Sequence, residues 1–484
     1  MTDRKNMILA SVLIGTLMSA VDTTIVILAI VNINDSLKST LVGTIWVILI
    51  YLLVLAVFTT QLGKLGDIFG RGRMFNAGFL IFIAGSAACG ASVNITMLIV
   101  SRAIQGVGAA LLQANSSAIV ADYFPPSERG RAFGITSSGW NIGGTLGIVL
   151  GGIITTLIGW QYIFYINVPI GIIGFIMALT YIKDNKVTEA RIDYPGMLLL
   201  LAILSLITYS ATHIAGNGIT DFNLILAAAG AVLIIPFIMV EMRSEHAVIN
   251  LRAFRNRLLT YSLLAAFLQA MGYLSIIFIL IMYLQGIKGF DPLTSSLILV
   301  PGYVVASFLA PKMGKFSDRI GAGKIATAGI FLMAVGVVVY LALGVESSIY
   351  IVVTGSLVSG VGGSMFWPSN NSSVMSAAPR DLYGSISGLL RTLSSIGTLM
   401  SYVLTISIAS LSIPRYVAFE VFLGTGTSLT GSIASKFMVG IHSALLMSIA
   451  LLIVAGMLSF ARSGKRETAG DKEQEKLSSG TQGA

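Results

Sequence analysis

The chain has 484 residues, of which 55% are apolar and 11% charged, and its mean hydropathy is +0.88. Soluble domains carry about a quarter charged residues, so the composition excludes a soluble enzyme or binding module and leaves an integral membrane protein. The formal net charge of +9 comes from Lys and Arg in loops between apolar runs, which ties it to topology and not to nucleic acid.

Apolar runs of roughly 20 residues cross the hydrocarbon core of a bilayer. Fourteen are counted, near 8–30, 41–62, 74–93, 96–121, 132–156, 161–182, 196–213, 223–241, 258–285, 295–312, 325–344, 349–377, 384–410 and 436–461. All are expected to be helices, because lipid offers backbone groups no hydrogen-bond partner and the runs lack the alternation of a membrane barrel. The expected fold is therefore an all-α integral membrane protein. The first run carries Asp22 and no convincing small-residue cleavage site, and reads as a retained helix. With the N-terminus inside, only Lys38, Lys288, Arg415 and Lys436 fall outside and only Arg102 and Arg391 lie within spans. That asymmetry predicts a multi-pass protein of the plasma membrane with both termini cytoplasmic. The single cysteine, Cys89, sits within a span, excludes an internal disulfide and reads as a small packing residue.

After the second run stands Gly63-Lys64-Leu65-Gly66-Asp67-Ile68-Phe69-Gly70-Arg71-Gly72-Arg73. The loop Gly314-Lys315-Phe316-Ser317-Asp318-Arg319-Ile320-Gly321-Ala322-Gly323-Lys324 repeats its spacing. Such a duplication predicts two half-bundles that rock around a central site. Six runs precede the segment around 183–195 and six follow the loop around 242–257. The chain thus divides into an N-terminal six-helix half at 1–182, two inserted helices with cytoplasmic loops at 183–257, a C-terminal six-helix half at 258–461, and a disordered cytoplasmic tail at 462–484. Gly63 and Gly70 would permit close helix approach and a tight turn, and Asp67 could face the positive N-terminal end of a neighbouring helix.

Of the acidic residues, Asp22 alone lies well inside the expected hydrocarbon, where an ionised carboxylate is costly. It is tolerated if it faces a wet cavity, pairs with a cation or takes up a proton, and the last is what a proton carrier needs. The alternative is an aspartate that only hydrogen-bonds neighbouring helices. At about 1.5 Å per residue, Asp22 lies roughly 22 Å from the inner end of its helix and Arg102 roughly 10 Å from the outer end of its own, so their depths match. Arg102 could instead snorkel outward. Arg102, Gln105, Ala109, Gln113 and Ser116 share one helical face, and Gly360, Ser364, Trp367 and Asn371 share another in the twelfth run, beside Pro368. Interhelical packing is an equal reading of these faces. Arg391 could contact an anionic substrate or reach the inner interface. His213 and His442 read as packing or interfacial residues. Neither a metal cluster, a phosphate-binding Gly-Lys-Ser/Thr loop nor a nucleophile triad is found, so neither an enzyme nor a nucleotide-driven pump is expected.

The doubled Gly-x-x-x-Asp-x-x-Gly loop resembles the signature of the major facilitator superfamily. Asp22-Thr23-Thr24-Ile25-Val26, Trp46 with Tyr51, and Phe164-Tyr165-Ile166-Asn167-Val168-Pro169-Ile170-Gly171 resemble its fourteen-span drug:proton antiporter family. Arg102-Ala103-Ile104-Gln105-Gly106-Val107-Gly108-Ala109 is similar to the superfamily's second motif, and Gly147-Ile148-Val149-Leu150-Gly151-Gly152 to the motif associated with export, with Ile148 in the place of its proline. The resemblance implies a major facilitator fold of fourteen helices arranged six plus two plus six. In it, the helices carrying Asp22 and Arg102 line the central cavity. It also implies that Asp67, Arg71 and Asp122 latch the cytoplasmic side, with Asp318 and Arg319 as a partial second latch.

A proton-coupled exporter of a small amphipathic or lipophilic compound is the expected function, with Asp22 and Arg102 coupling to protons. Gly63, Asp67, Gly70, Arg71, Asp122, Gly314, Asp318 and Arg319 would gate it. Trp46, Tyr51, Gln105, Gln113, Asn141, Trp367 and Asn371 would meet the substrate. The proton gradient replaces any cofactor, the partners are substrate, protons and lipid, and a monomer is expected. Proton symport that imports a small metabolite is the alternative, and a non-transporting membrane receptor or scaffold is the alternative of another class.

Overall fold

The computed structural model describes residues 2–184, 192–217, 220–244, 247–248, 256–379, 382–412, 429 and 431–463. Its helices are α1 (Thr2–Leu37), α2 (Leu41–Phe69), α3 (Arg71–Gly90), α4 (Ile95–Tyr123), α5 (Pro126–Leu157), a short α6 (Tyr162–Tyr165) and α7 (Asn167–Tyr181). There follow α8 (Tyr194–Asn217), α9 (Asp221–Val232), α10 (Ile234–Arg243) and α11 (Arg257–Met282), which runs into a π-helical turn over Tyr283–Ile287. The rest are α12 (Pro292–Ile320), α13 (Ala322–Tyr340), α14 (Tyr350–Ala377), α15 (Tyr383–Ser412) and α16 (Gly431–Ser463). Polar caps set several starts: Thr40 accepts from the Gly43 amide, Asn94 from Met97, and Asp291 from Leu293 and Thr294, each satisfying an orphan N–H of a first turn. The expected tail at 462–484 falls outside the described residues except for Arg462 and Ser463, as does Arg415.

Among the described residues, 12 helices are long and apolar enough to cross a membrane, with α6–α7 and α9–α10 each counted as one. Fourteen were expected. The two runs outside that set, α5 and α15, form helices of 32 and 30 residues but are diluted by Gly, Ser and Thr. Both lie in the middle of the bundle, where α5 packs on α1 and α12, and α15 packs on α2 and α11. A helix that faces other helices gains from small residues and needs less apolar surface than one that faces lipid.

Glycine sets how closely these helices meet. On α3, a Cβ at Gly85 would lie 2.6 Å from the Gln105 amide nitrogen, and on α4 a Cβ at Gly108 would collide with the backbone of Phe82. Along α5, Gly143, Gly147 and Gly151 recur every four residues against the α1 backbone at Leu17, Val21 and Ile25, and Thr24 Oγ1 donates to the Gly144 carbonyl at 3.2 Å. The glycines of the expected export motif are thus packing elements in this arrangement.

Helix α8 lies against α2. Trp46 of α2 meets Tyr209 of α8 at a centroid distance of 6.3 Å, and Tyr209 stacks on His213 at 4.2 Å. At the end of the bundle where α2 meets α3, Lys64 is buried and donates to the Ala247 carbonyl, with Glu241 and Asp193 as the nearest acidic groups. Glu241 also accepts from the Val248 amide at 3.1 Å, and Asp193 from that of Gly196 at 2.9 Å. Lys64 therefore ties the end of α2 to the segment that follows α10.

Two expectations follow for thermal unfolding of the purified protein. Gly108→Leu forces α3 and α4 apart and should destabilise by about 1–3 kcal/mol, as overpacking does; an unshifted melting curve would contradict the close seam. Lys64→Met alone strands buried carboxylates and should cost several kcal/mol, whereas Lys64→Met with Glu241→Leu should cost less than the sum of the single changes. Strict additivity in that cycle would show that the two groups do not interact.

Candidate functional site

Asp22, midway along α1, is fully buried and accepts hydrogen bonds from three side chains. Arg102 Nη1 donates to its Oδ2 at 2.6 Å, Gln105 Nε2 to its Oδ1 at 2.8 Å, and Asn167 Nδ2 to its Oδ1 at 3.2 Å. Arg102 is 1% exposed. Its Nη1 also reaches Gln105 Oε1 at 2.8 Å and its Nε donates to the Val47 carbonyl at 3.1 Å. The guanidinium lies 4.3 Å from the Tyr51 ring centroid and 5.8 Å from that of Phe164, a cation–π sandwich. Ser86 completes the cluster, accepting from Gln105 and Asn167 and donating to the Phe164 carbonyl at 2.8 Å. Cys89 also touches it, 3.6 Å from Gln105 Oε1. The spacing by three on α4 puts Arg102 and Gln105 on one face, and the Gly85–Gln105 contact presses that face against α3.

The site thus gathers α1, α2, α3, α4 and the break between α6 and α7. Asn167 and Ser86 were not singled out from sequence. Asn167 opens α7 just after the Phe164 turn, and a polar residue at such a break was the available signal.

At the end of the bundle bearing the doubled loop, the two aspartates make matching contacts. Asp67, at the end of α2, accepts from the backbone N–H groups of Gly384 and Ser385 at 2.9 and 2.8 Å, at the start of α15, and from Ser385 Oγ at 2.8 Å. Asp318, at the end of α12, accepts from the N–H groups of Gly130 and Arg131 at 2.9 and 3.1 Å, in the first turns of α5. Asp67 meets orphan donors in the first turn of α15, whereas Asp318 meets N–H groups one turn into α5, near the positive end of that helix. Gly63 meets Gly384 and Gly314 meets Gly130 with backbones in contact, leaving no room for a Cβ at any of the four. Gly70 and Gly321 take φ of 104° and 111°, in the region that favours glycine, and turn the chain into α3 and α13.

Arg71 bridges Asp67 at 2.8 Å and Asp122 at 2.5 Å. Arg319 is exposed and takes no part in the matching contact, so the second loop closes through its carboxylate. A residue missed from sequence, Arg129, is buried across this seam. It donates to the carbonyls of Ala121 and Phe124 at the end of α4, to Met375 of α14, and to the Tyr383 hydroxyl. Deeper in the seam, Thr60 Oγ1 donates to Thr392 Oγ1 at 2.9 Å and Ser138 Oγ to the Ser307 carbonyl at 2.6 Å.

The remaining expected substrate residues are scattered. Trp46 faces α8. Gly360, which shares a helical face with Trp367 and Asn371, abuts Gly302 of α12, in line with the packing reading of that face. Trp367 is partly exposed beside Arg391, with the guanidinium 6.0 Å from its ring centroid. Gln113 Nε2 and Asn371 Oδ1 are buried without a hydrogen-bond partner, and the Asn141 side chain is partly exposed. Among the described residues no group of His, Cys, Asp and Glu could hold a metal ion.

The family profile described as Major Facilitator Superfamily matches residues 12–402. The riboflavin transporter RibZ of Clostridioides difficile (strain 630) is 31% identical over 395 residues, covering 81% of this chain and 86% of that protein. Multidrug resistance protein Stp of Mycobacterium tuberculosis (strain CDC 1551 / Oshkosh) is 29% identical over 397 residues, covering 80% and 73%. Among solved structures, the proton:xylose symporter XylE bound to 6-bromo-6-deoxy-D-glucose superposes with a TM-score of 0.67 at 11% identity, covering 95% of this chain and 96% of that one. The profile match over most of the chain places this protein in the Major Facilitator Superfamily of secondary membrane transporters.

Proposed function

We propose that the protein is a proton-coupled exporter of small amphipathic or lipophilic compounds, working by alternating access through fourteen spans arranged six plus two plus six. The observation that carries this reading is the dry Asp22–Arg102 pair inside the N-terminal half. Both Asp22 oxygens accept from donors, so the carboxylate is open to a new partner only as the contact to Arg102 is released. If the rocking of the halves separates the pair, proton affinity differs between the two states, and that difference is what coupling requires. Relatives named as multidrug resistance proteins support export. The basic end of the bundle is the cytoplasmic one by the positive-inside rule, and Asp67, Arg71, Asp122, Asp318 and Arg129 form its latch. The closed seam then corresponds to a state open to the outside.

A riboflavin transporter among the relatives supports a second reading, uptake of a small metabolite by symport, with the same carboxylate binding its proton together with the substrate.

Liposomes with an imposed proton gradient separate these readings. Asp22→Asn, a neutral isostere, should lose gradient-driven dye movement by about 100-fold or more while still exchanging dye across the membrane without a gradient. Equal gradient-driven transport by variant and wild type would remove Asp22 from coupling. Dye moving with the protons would establish symport, and against them antiport.

The latch is checked separately by thiol labelling of Thr392→Cys, which lies in the α2–α15 seam. Adding Asp67→Asn weakens three charge-assisted bonds across the seam, each worth about 1.5–3 kcal/mol, and should raise the labelling rate at least tenfold. An unchanged rate would mean that the seam is held by packing alone.

A further inference from the structure

The two arginines inside the expected spans are treated very differently by their surroundings. Arg102 has its Nε and Nη1 donors engaged and a carboxylate beside it. Arg391, about 10 Å into α15 from the latched Gly384, has no ion pair among the described residues; its Nε is enclosed without a hydrogen-bond partner, and its one aromatic contact is the Trp367 ring. Its neighbours Leu390 and Thr392 are fully buried, Thr392 in the seam with Thr60. The Arg391 residue nevertheless keeps accessible surface. One turn from Trp367 along α14, a Cβ at Gly363 would meet nothing within 4 Å, so the α14 face that carries Trp367 is open there.

A guanidinium held in a membrane interior without an anion is unfavourable, and the geometry of five N–H donors in a rigid plane suits a carboxylate, sulfonate or phosphate oxygen pair. The adjoining indole offers a flat apolar surface, and the bare backbone at Gly363 lets a ring approach it. We propose that the central site takes an amphipathic organic anion, with Arg391 binding its acidic group and Trp367 stacking on its planar body. This rests on the transporter reading above and narrows its substrate class. The proton side is kept apart from it, since Asp22 already has its own cation in the other half.

The test is equilibrium binding of a matched dye pair to the purified full-length protein in detergent, followed by fluorescence anisotropy: a planar dye with a free carboxylate and its neutral methyl ester. Wild type should bind the carboxylate at least about tenfold tighter than the ester, the range expected of a charge-assisted hydrogen bond. Arg391→Gln should abolish that preference without changing ester affinity or the melting curve, and Arg391→Lys should restore part of it. A wild type that does not distinguish the two forms, or an Arg391→Gln that still prefers the carboxylate, overturns the assignment. Asp22→Asn should keep the preference. If it does so while gradient-driven transport proves independent of Asp22, the coupling reading fails and the substrate assignment stands; the converse result sinks only the anion.

Discussion

A charge with no water beside it must find its partners in the protein, and this constraint organises the N-terminal half. Asp22 and Arg102 neutralise each other, but a bare ion pair would leave oxygens and donors over. Gln105, Asn167, Ser86 and the Val47 carbonyl take these up, and each comes from a different segment. The helices must therefore sit at fixed distances and rotations for the pair to be affordable. The glycine contacts between α3 and α4 and between α1 and α5 supply that closeness. A carboxylate that accepts three hydrogen bonds in one arrangement loses some of them in another, and that is the property a coupling site needs.

The latch applies the same physics at the bundle's end. Asp67 and Asp318 each cross from one half to bond the first turns of a helix of the other, α15 and α5 in turn. A carboxylate at a helix N-terminus is a moderate interaction, worth a few kcal/mol when partly buried, and so are the threonine and serine bridges deeper in the seams. A latch that must open in every cycle is better made of several such contacts than of a large apolar interface. Lys64, within the same loop, faces away from the latch toward the segment that follows α10, so any shift of α2 is felt there.

The halves differ in charge despite their shared spacing. The ion pairs Lys5–Glu128, Arg71–Asp67, Arg71–Asp122 and Arg102–Asp22 lie within α1–α5, whereas Arg391 on α15 and Arg462 on α16 are buried or partly buried beside neutral groups. Arg462 bonds Ser262 and Asn370. The doubled loop thus keeps matching carboxylate contacts while the polar groups buried among the helices around it differ.

The sequence by itself determined the class, the helical runs, the doubled loop and the odd carboxylate in the first span, because the cost of placing charge and open backbone in lipid leaves so few alternatives. It also matched the depths of Asp22 and Arg102, since helical rise is constant. Contacts between rods are not set by rise or hydropathy, and only the tertiary structure decided them. It showed that Asn167 and Ser86 share the carboxylate, that Arg129 spans the seam, that Trp46 turns to α8 and that Gly360 packs on α12. It also separated α5 and α15 from the lipid-facing spans, because whether a glycine-rich helix needs apolar surface depends on what surrounds it.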